Sequence, residues 1–355
     1  MSAPTFSKFS RPDEPRPGMV TERDLDIIEA ILRYRFSPTS ELVRLVGGNE
    51  DVTQRRLRGL WERGLVNRFS FPGLGTGFVY YLDSLDALRL LSQGRGLSLA
   101  PQMIEEVRNH REKGYAEASR RGQYMQLGFL QHELMISRLH FVLELASRNS
   151  NGKVELTSWH QGAELSQKIE VPKVRFNREG NGYEGANELE SLPHRPDAFF
   201  SLRLGHHEAH FFYEADRGTM NAADMKRKLR AHFHFVKRQQ KHRAAYGVHA
   251  IRAVLIETTD EGRARKLMDA ALDPMVTGQR RTGLFWFTIT PLFTEPRQLG
   301  NHQSRPVPRY LVEPEVILGR IWALPDRSLL ALSDAENSPS RPADVHLTLP
   351  RQPLQ

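Results

Sequence analysis

The chain contains no cysteine. That excludes disulfides, cysteine-ligated zinc and thiol nucleophiles, and it suits a reducing compartment. Long apolar runs are missing too. Stretches such as Leu284–Ile289 fall far short of the roughly 20 residues that a membrane-spanning helix needs, so no membrane role is expected. The opening stretch Met1–Pro17 is rich in proline, serine and charge and lacks the apolar block of a secretory leader. It reads as a flexible arm, and the expected location is the cytoplasm. Acidic residues are in deficit: 42 Asp plus Glu face 50 Lys plus Arg, for a formal net charge of +8. Such a balance favours a polyanionic partner, nucleic acid before an anionic lipid surface.

What is present suffices for a packed protein. Hydrophobic residues make up 39% and charged residues 26% of 355, enough for two domains and a tail. The expected order is an arm over 1–20, a first domain over 21–92, a linker with one partly exposed helix over 93–123, a second domain over 124–332 and a flexible tail over 333–355.

Helical spacing of Leu25, Ile27, Ile28, Ile31 and Leu32 predicts a helix over Thr21–Arg35, opened by the pair Thr21 and Asp24. A second helix is expected over Ser40–Val46. A third runs over Val52–Arg63, with Asp51 as its N-cap and Gly64 as its stop. Two strand-like runs, Leu65–Phe71 and Phe78–Leu82, flank a glycine-rich tip at Pro72–Gly77. Three short helices followed by a two-stranded ribbon form the order of a winged helix-turn-helix, whose third helix enters the major groove of DNA. On that helix Leu57, Leu60 and Trp61 share an inward face. Gln54, Arg55, Arg58 and Arg63 are left for the other face, with Arg56 at its margin, and Arg68 in the first ribbon strand is placed for a phosphate. Arginine's planar fork matches guanine O6 and N7 or a phosphate. Paired half-sites suggest a homodimer.

The second domain opens on an amphipathic helix over Tyr124–Arg148. Strands are expected at Val154–Trp159, Asp197–Leu204 and His210–Asp216, with a long loop over Val171–His194. A basic helix follows over Ala222–Tyr246, then a strand, a helix and a strand. Two apolar strands each carry acids: Asp197 on one, Glu214 and Asp216 on the other. Carboxylates so placed suit Mg²⁺, which can polarise a phosphodiester and activate water. The order resembles the restriction-endonuclease core, whose pattern is PD followed by (D/E)-x-K. Asp197 and Glu214 match its acids. Asp216 stands where lysine belongs, leaving Lys226 or Lys228 on the next helix to reach back. The plain alternative is an ion-pair cluster at a strand end. Of the basic helix, Arg227, Arg230, Lys237 and Arg238 are candidate DNA contacts. His232 and His234 have the wrong spacing for zinc on one helical face.

The expected fold is therefore of the α+β or α/β class: an N-terminal winged helix-turn-helix followed by a restriction-endonuclease-like, PD-(D/E)xK-type α/β domain. The run R-R-L-R-G-L-W-E-R-G-L-V-N-R, the segment Gln131-His132-Glu133-Leu134, Pro196-Asp197-Ala198, and Phe212-Tyr213-Glu214-Ala215-Asp216-Arg217-Gly218-Thr219 together resemble the replication-relaxation family, from about Thr21 to Trp322. The resemblance implies DNA binding in the maintenance of plasmids and other mobile elements, with their replication proteins as partners. Three functional readings stay open: a DNA-binding replication, relaxation or transcription factor; a Mg²⁺-dependent nuclease using Asp197 and Glu214; and a protein-docking assembly factor.

Overall fold

A computed structural model describes residues 11–12, 18–71, 77–122, 127–176, 183–278, 282–297 and 306–334. Most of the expected arm, ribbon tip and tail lie outside the described residues. The chain divides into two units, Met1–Phe141 and Val142–Gln355.

Helix α1 (Glu22–Tyr34) starts on a reciprocal cap. The Thr21 N–H donates to Asp24 Oδ2 at 3.0 Å, and the Asp24 N–H donates to Thr21 Oγ1 at 3.4 Å. The two-residue strand β1 (Ser37–Pro38) leads into α2 (Thr39–Val46), followed by α3 (Glu50–Glu62). The cap of α3 is Asn49, whose Oδ1 accepts from the Val52 N–H at 3.1 Å. Asp51, expected as the cap, stands in the first turn, where its charge still suits the positive helix end. Gly64 at φ +73° turns the chain out of α3.

Strands β2 (Asn67–Phe69) and β3 (Val79–Tyr81) then pair, and β1 adds to β3, giving an antiparallel sheet in the order β1-β3-β2. Leu25, Ile28, Ile31, Leu42, Leu57, Leu60 and Tyr80 close the core between helices and sheet. Residues 93–122, expected as part of a linker with one partly exposed helix, are largely helical. Here α4 (Leu85–Arg95) ends, and α5 (Pro101–Lys113) and α6 (Tyr115–Arg120) follow, burying Val107, Tyr115 and Ala118. Each turn offers about one apolar residue, too narrow a stripe for periodicity to register. Helix α7 (Leu127–Asn149) holds the division between units.

The second unit comprises β4 (Val154–Gln161), β5 (Gln167–Phe176), β6 (Tyr183–His194), β7 (Ala198–Leu204), β8 (His207–Ala215), α8 (Ala222–Phe233), α9 (His242–Tyr246), β9 (Ala253–Thr258), α10 (Glu261–Leu272), α11 (Pro274–Thr277) and β10 (Phe285–Ile289). Short pieces follow: α12 (Pro291–Thr294), β11 (Pro296–Arg297), β12 (Val307–Pro308), β13 (Trp322–Ala323) and β14 (Leu329–Leu330). Seven strands form one mixed sheet in the order β14-β13-β10-β9-β8-β7-β4. Its centre, β8-β9-β10, is parallel, and β4, β7 and β8 run antiparallel in turn. Strand β9 is buried at every residue, as a parallel strand covered on both faces must be.

Two expectations fail here. The stretch expected as a loop, 171–194, holds most of a hairpin, β5 against β6, which buries Ile169, Val171 and Leu192. Its glycine, asparagine and glutamate content hid the alternation. The basic segment 222–246 is not one helix: α8 passes into a π-turn at His234–Arg238, and Gln240 at φ +50° separates that from α9. The molecule is a mixed α/β protein.

Candidate functional sites

Asp197 precedes β7 and is held by the backbone of the neighbouring strand. Its N–H donates to the Tyr213 carbonyl at 3.0 Å, and its Oδ2 accepts from the Ala215 N–H at 2.8 Å. Glu214 lies between those two residues on β8, with its side chain only 6% exposed. Met225 and Leu229 fasten α8 to the sheet. This brings the Lys228 ammonium onto the Glu214 carboxylate and to 4.0 Å from Asp197 Oδ1. One turn further along α8, His232 Nε2 meets Glu214 Oε1 at 2.5 Å. His232 Nδ1 meets His194 Nε2 at 3.0 Å, and the His194 ring stacks on Phe235 at 3.9 Å between centroids. With Glu214 accepting, His232 donates from Nε2, so its Nδ1 accepts from His194 Nε2–H.

Burial dominates the electrostatics. It pushes the Glu214 carboxyl well up, against the pull of Lys228, and the Asp197 charge adds to the rise. Burial first and the Lys228 ammonium second push His232 down to about 3. His194 is likewise driven well down by burial, then by His232 and Lys228. For Lys228, burial opposes the charge, but Glu214 and Asp197 outweigh it and hold the ammonium. The cluster is one resident cation among acids, backed by two neutral imidazoles.

The expected catalytic set is only partly brought together. Asp197, Glu214 and Lys228 converge, whereas Asp216 and Lys226 are bound elsewhere. Asp216 accepts from Arg263 Nε at 2.8 Å, from Arg263 Nη2 at 2.9 Å and from Thr258 Oγ1 at 2.7 Å. Lys226 Nζ lies 2.5 Å from Asp273 Oδ2. Among the described residues no group of three His, Asp or Glu side chains is disposed to hold a metal. The expected set of Asp197, Glu214 and Asp216 does not fit Mg²⁺, because an ammonium sits at the first two acids and an arginine takes the third. No step is derived through a metal.

His194, His232 and the fully buried Glu257 were not foreseen. Glu257 accepts from Tyr213 Oη and Thr290 Oγ1, each at 2.6 Å. His232 had a readable signal: it stands four residues after Lys228, hence on the same helical face.

On α3, Gln54, Arg55 and Arg58 are exposed, opposite the buried Leu57, Leu60 and Trp61. Gln54 Nε2 donates to Glu50 Oε1 at 3.0 Å, Arg55 Nε to the Asp51 carbonyl at 3.4 Å, and Arg58 Nε to Glu62 Oε1 at 2.9 Å. Each stays within its own helix. Arg56, expected at the margin of that face, is half-buried, and Arg63 is largely covered. Arg56 Nη1 lies 3.2 Å, and Arg63 Nη2 3.6 Å, from the carboxylate of Asp24 on α1. Arg68 is a further correction: it is buried, its guanidinium 3.8 Å from the Trp61 ring centre and 4.0 Å from that of Phe78, with Nη1 3.3 Å from Tyr80 Oη. It is a packing residue with no free face for a phosphate.

Around α8, Arg230 also departs from expectation. It is 1% exposed, donating to Glu190 and the Pro172 carbonyl, and so is closed to DNA. Arg227, Lys237 and Arg238 are exposed.

A helix-and-sheet unit with surface arginines and a second unit with a buried acid–lysine–histidine cluster mark the class: a basic, mixed α/β protein of two units. Residues 29–250, more than half the chain, match the replication-relaxation family, and the chain belongs to that family. Neither a curated protein nor a solved structure matches it. No helix among the described residues is long and apolar enough to cross a membrane.

Proposed function

We propose that the chain binds duplex DNA in the replication, relaxation or transcriptional control of a plasmid or other mobile element, acting in the cytoplasm, with its first unit as the reader. In this reading α1–α3 and the β1-β3-β2 sheet are a winged helix-turn-helix, and α3 lies in the major groove. The observation that carries it is the solvent face of α3, where Gln54, Arg55 and Arg58 stand clear of the core. The bonds of Gln54 and Arg55 to Glu50 and Asp51 are local and exposed, so exchanging them for contacts to bases or phosphates costs little, whereas Arg58 is half-exposed and would have to leave the buried Glu62 carboxylate. Strand β1 supports the reading by tying the ribbon to the helices. A homodimer on paired half-sites and contacts to other replication proteins belong to the same picture.

In the same reading the second unit is a restriction-endonuclease-like core with the β5–β6 hairpin inserted, a reading supported by antiparallel β4, β7 and β8 followed by α8 and the parallel β9. Its acids Asp197 and Glu214 already face the Lys228 ammonium, and Asp216 faces Arg263, which favours binding or assembly over cutting.

The test is anisotropy of a labelled duplex across a salt series. Arg55→Ala with Arg58→Ala is expected to weaken binding and to lower the slope of log K against log salt by about 2, at roughly 0.9 per lost phosphate contact. A folded double variant with unchanged affinity and slope would remove α3 as the reader and leave protein docking.

A further inference from the structure

The basic run of α8 and the turn beyond it divides by partner. Lys226, Lys228 and Arg230 each face a carboxylate, of Asp273, Glu214 and Glu190 respectively. Further on, Lys237, Arg238, Lys241 and Arg243 make no ion pair among the described residues, and each stands at or near the surface. The chain folds tightly there. After the π-turn the Lys241 N–H donates to the Phe235 carbonyl at 3.0 Å, and the Arg243 N–H donates to that of Gln240 at 3.1 Å. Phe235, Val236 and His242 point into the core, which turns Lys237, Arg238 and Arg243 outward.

The nearby histidines report the same field. His242 is pushed down by burial, and by Arg243 and Lys237, against hydrogen bonds that raise it. His234 is pushed down to about 4 by burial, then by Arg230 and Arg238. Both shifts favour the neutral imidazole. Four permanent cations therefore stand within seven consecutive residues, and their mutual repulsion is relieved when an anion binds.

We propose that the turn Lys237–Arg243 is a second DNA contact, a clamp on the phosphate backbone of duplex DNA that works independently of α3. It rests on reading the chain as a DNA binder, not on the role of α3. The chemistry selects the backbone over bases. The large exposed apolar side chains among the described residues are Met19, Val52, Phe129, Leu189 and Leu272, and none lies in this turn. Without an aromatic platform for unpaired bases, the cations act by releasing counterions from phosphates. Such contacts position a protein on the duplex and carry no sequence information.

The experiment uses the full chain and a labelled duplex of arbitrary sequence, titrated across salt. Replacing Lys237, Arg238, Lys241 and Arg243 together by alanine is expected to lower the slope by up to about 3.6, and to weaken affinity at least about tenfold near 0.1 M salt. The loss falls on all duplexes alike, whereas Arg55→Ala with Arg58→Ala alters preference among sequences. Lys237→Arg with Lys241→Arg keeps the slope. A quadruple variant with wild-type melting and an unchanged slope overturns the clamp, whatever the α3 variants do. Should the quadruple variant fail to fold, Lys237→Glu alone decides: a reduced slope supports the clamp and an unchanged one rejects it. A loss confined to single-stranded DNA also overturns it.

Discussion

His232 shows how a single side chain reads differently once its neighbours are known. It is 1% exposed, between a carboxylate and a second imidazole. In the folded chain it takes a proton only near pH 3, whereas the unfolded side chain takes one near 6.5. As pH falls the unfolded state binds that proton first. The stability present above about 6.5 is therefore lost progressively down to about 3. His232→Gln is expected to flatten this dependence by one proton, about 1.4 kcal/mol per pH unit between roughly pH 6 and 4. Urea midpoints of the two proteins across that range measure it, and parallel curves would show that His232 is not held neutral by the fold. Arg68 and Arg230 carry the same lesson with the opposite sign: a permanent charge is a surface contact only when its guanidinium has not been taken by rings, carbonyls or carboxylates.

At the scale of elements, Asp24 joins two helices. It completes the cap of α1, accepts from Arg56 on α3 and faces Arg63 at the end of that helix. Burial raises its pKa, but the Thr21 hydrogen bonds and then Arg56 and Arg63 outweigh that and hold it low. Its side chain is 2% exposed, so removing it leaves two guanidinium groups without their acid. Asp24→Ala is expected to cost about 3 kcal/mol, the lower end for breaking a buried charged pair, since Arg56 stays a third exposed. Thermal and urea unfolding would register the loss. A midpoint within error of wild type would show that α1 and α3 are held by Leu25, Ile28, Leu57 and Leu60 without help from this acid.

Over the whole molecule, the excess of +8 is spread unevenly. Many arginines and lysines are paired with acids within the fold, whereas Arg55 on α3 and the group Lys237, Arg238, Lys241 and Arg243 after α8 are among those that make no ion pair among the described residues. The family match, residues 29–250, covers both of these and the acid cluster. Because Lys228 already occupies the acids and Asp216 belongs to Arg263, supercoiled DNA incubated with the full chain and Mg²⁺ or Mn²⁺ is expected to stay intact. Gel electrophoresis reads the outcome. Nicking that disappears in Asp197→Ala and Glu214→Ala would restore the nuclease reading and sink this one.

Local chemistry determined a good part of the protein. The helical spacing from Leu25 to Ile31, the cap at Thr21, the stop at Gly64 and the apolar strands around Asp197 and Glu214 are written in neighbouring residues, because a helix or strand tests its own periodicity. The family likeness was legible for the same reason, being carried by short runs such as Glu214–Thr219. Tertiary structure decided the rest. Which arginines of α3 face solvent depended on Asp24, some thirty residues earlier in the chain. The pairing of Lys228 with Glu214, of Asp216 with Arg263 and of His232 with His194 depended on strands and helices meeting across the fold. Charge and hydrogen bonding act through space over a few ångströms, and sequence spacing records such distances only within one element.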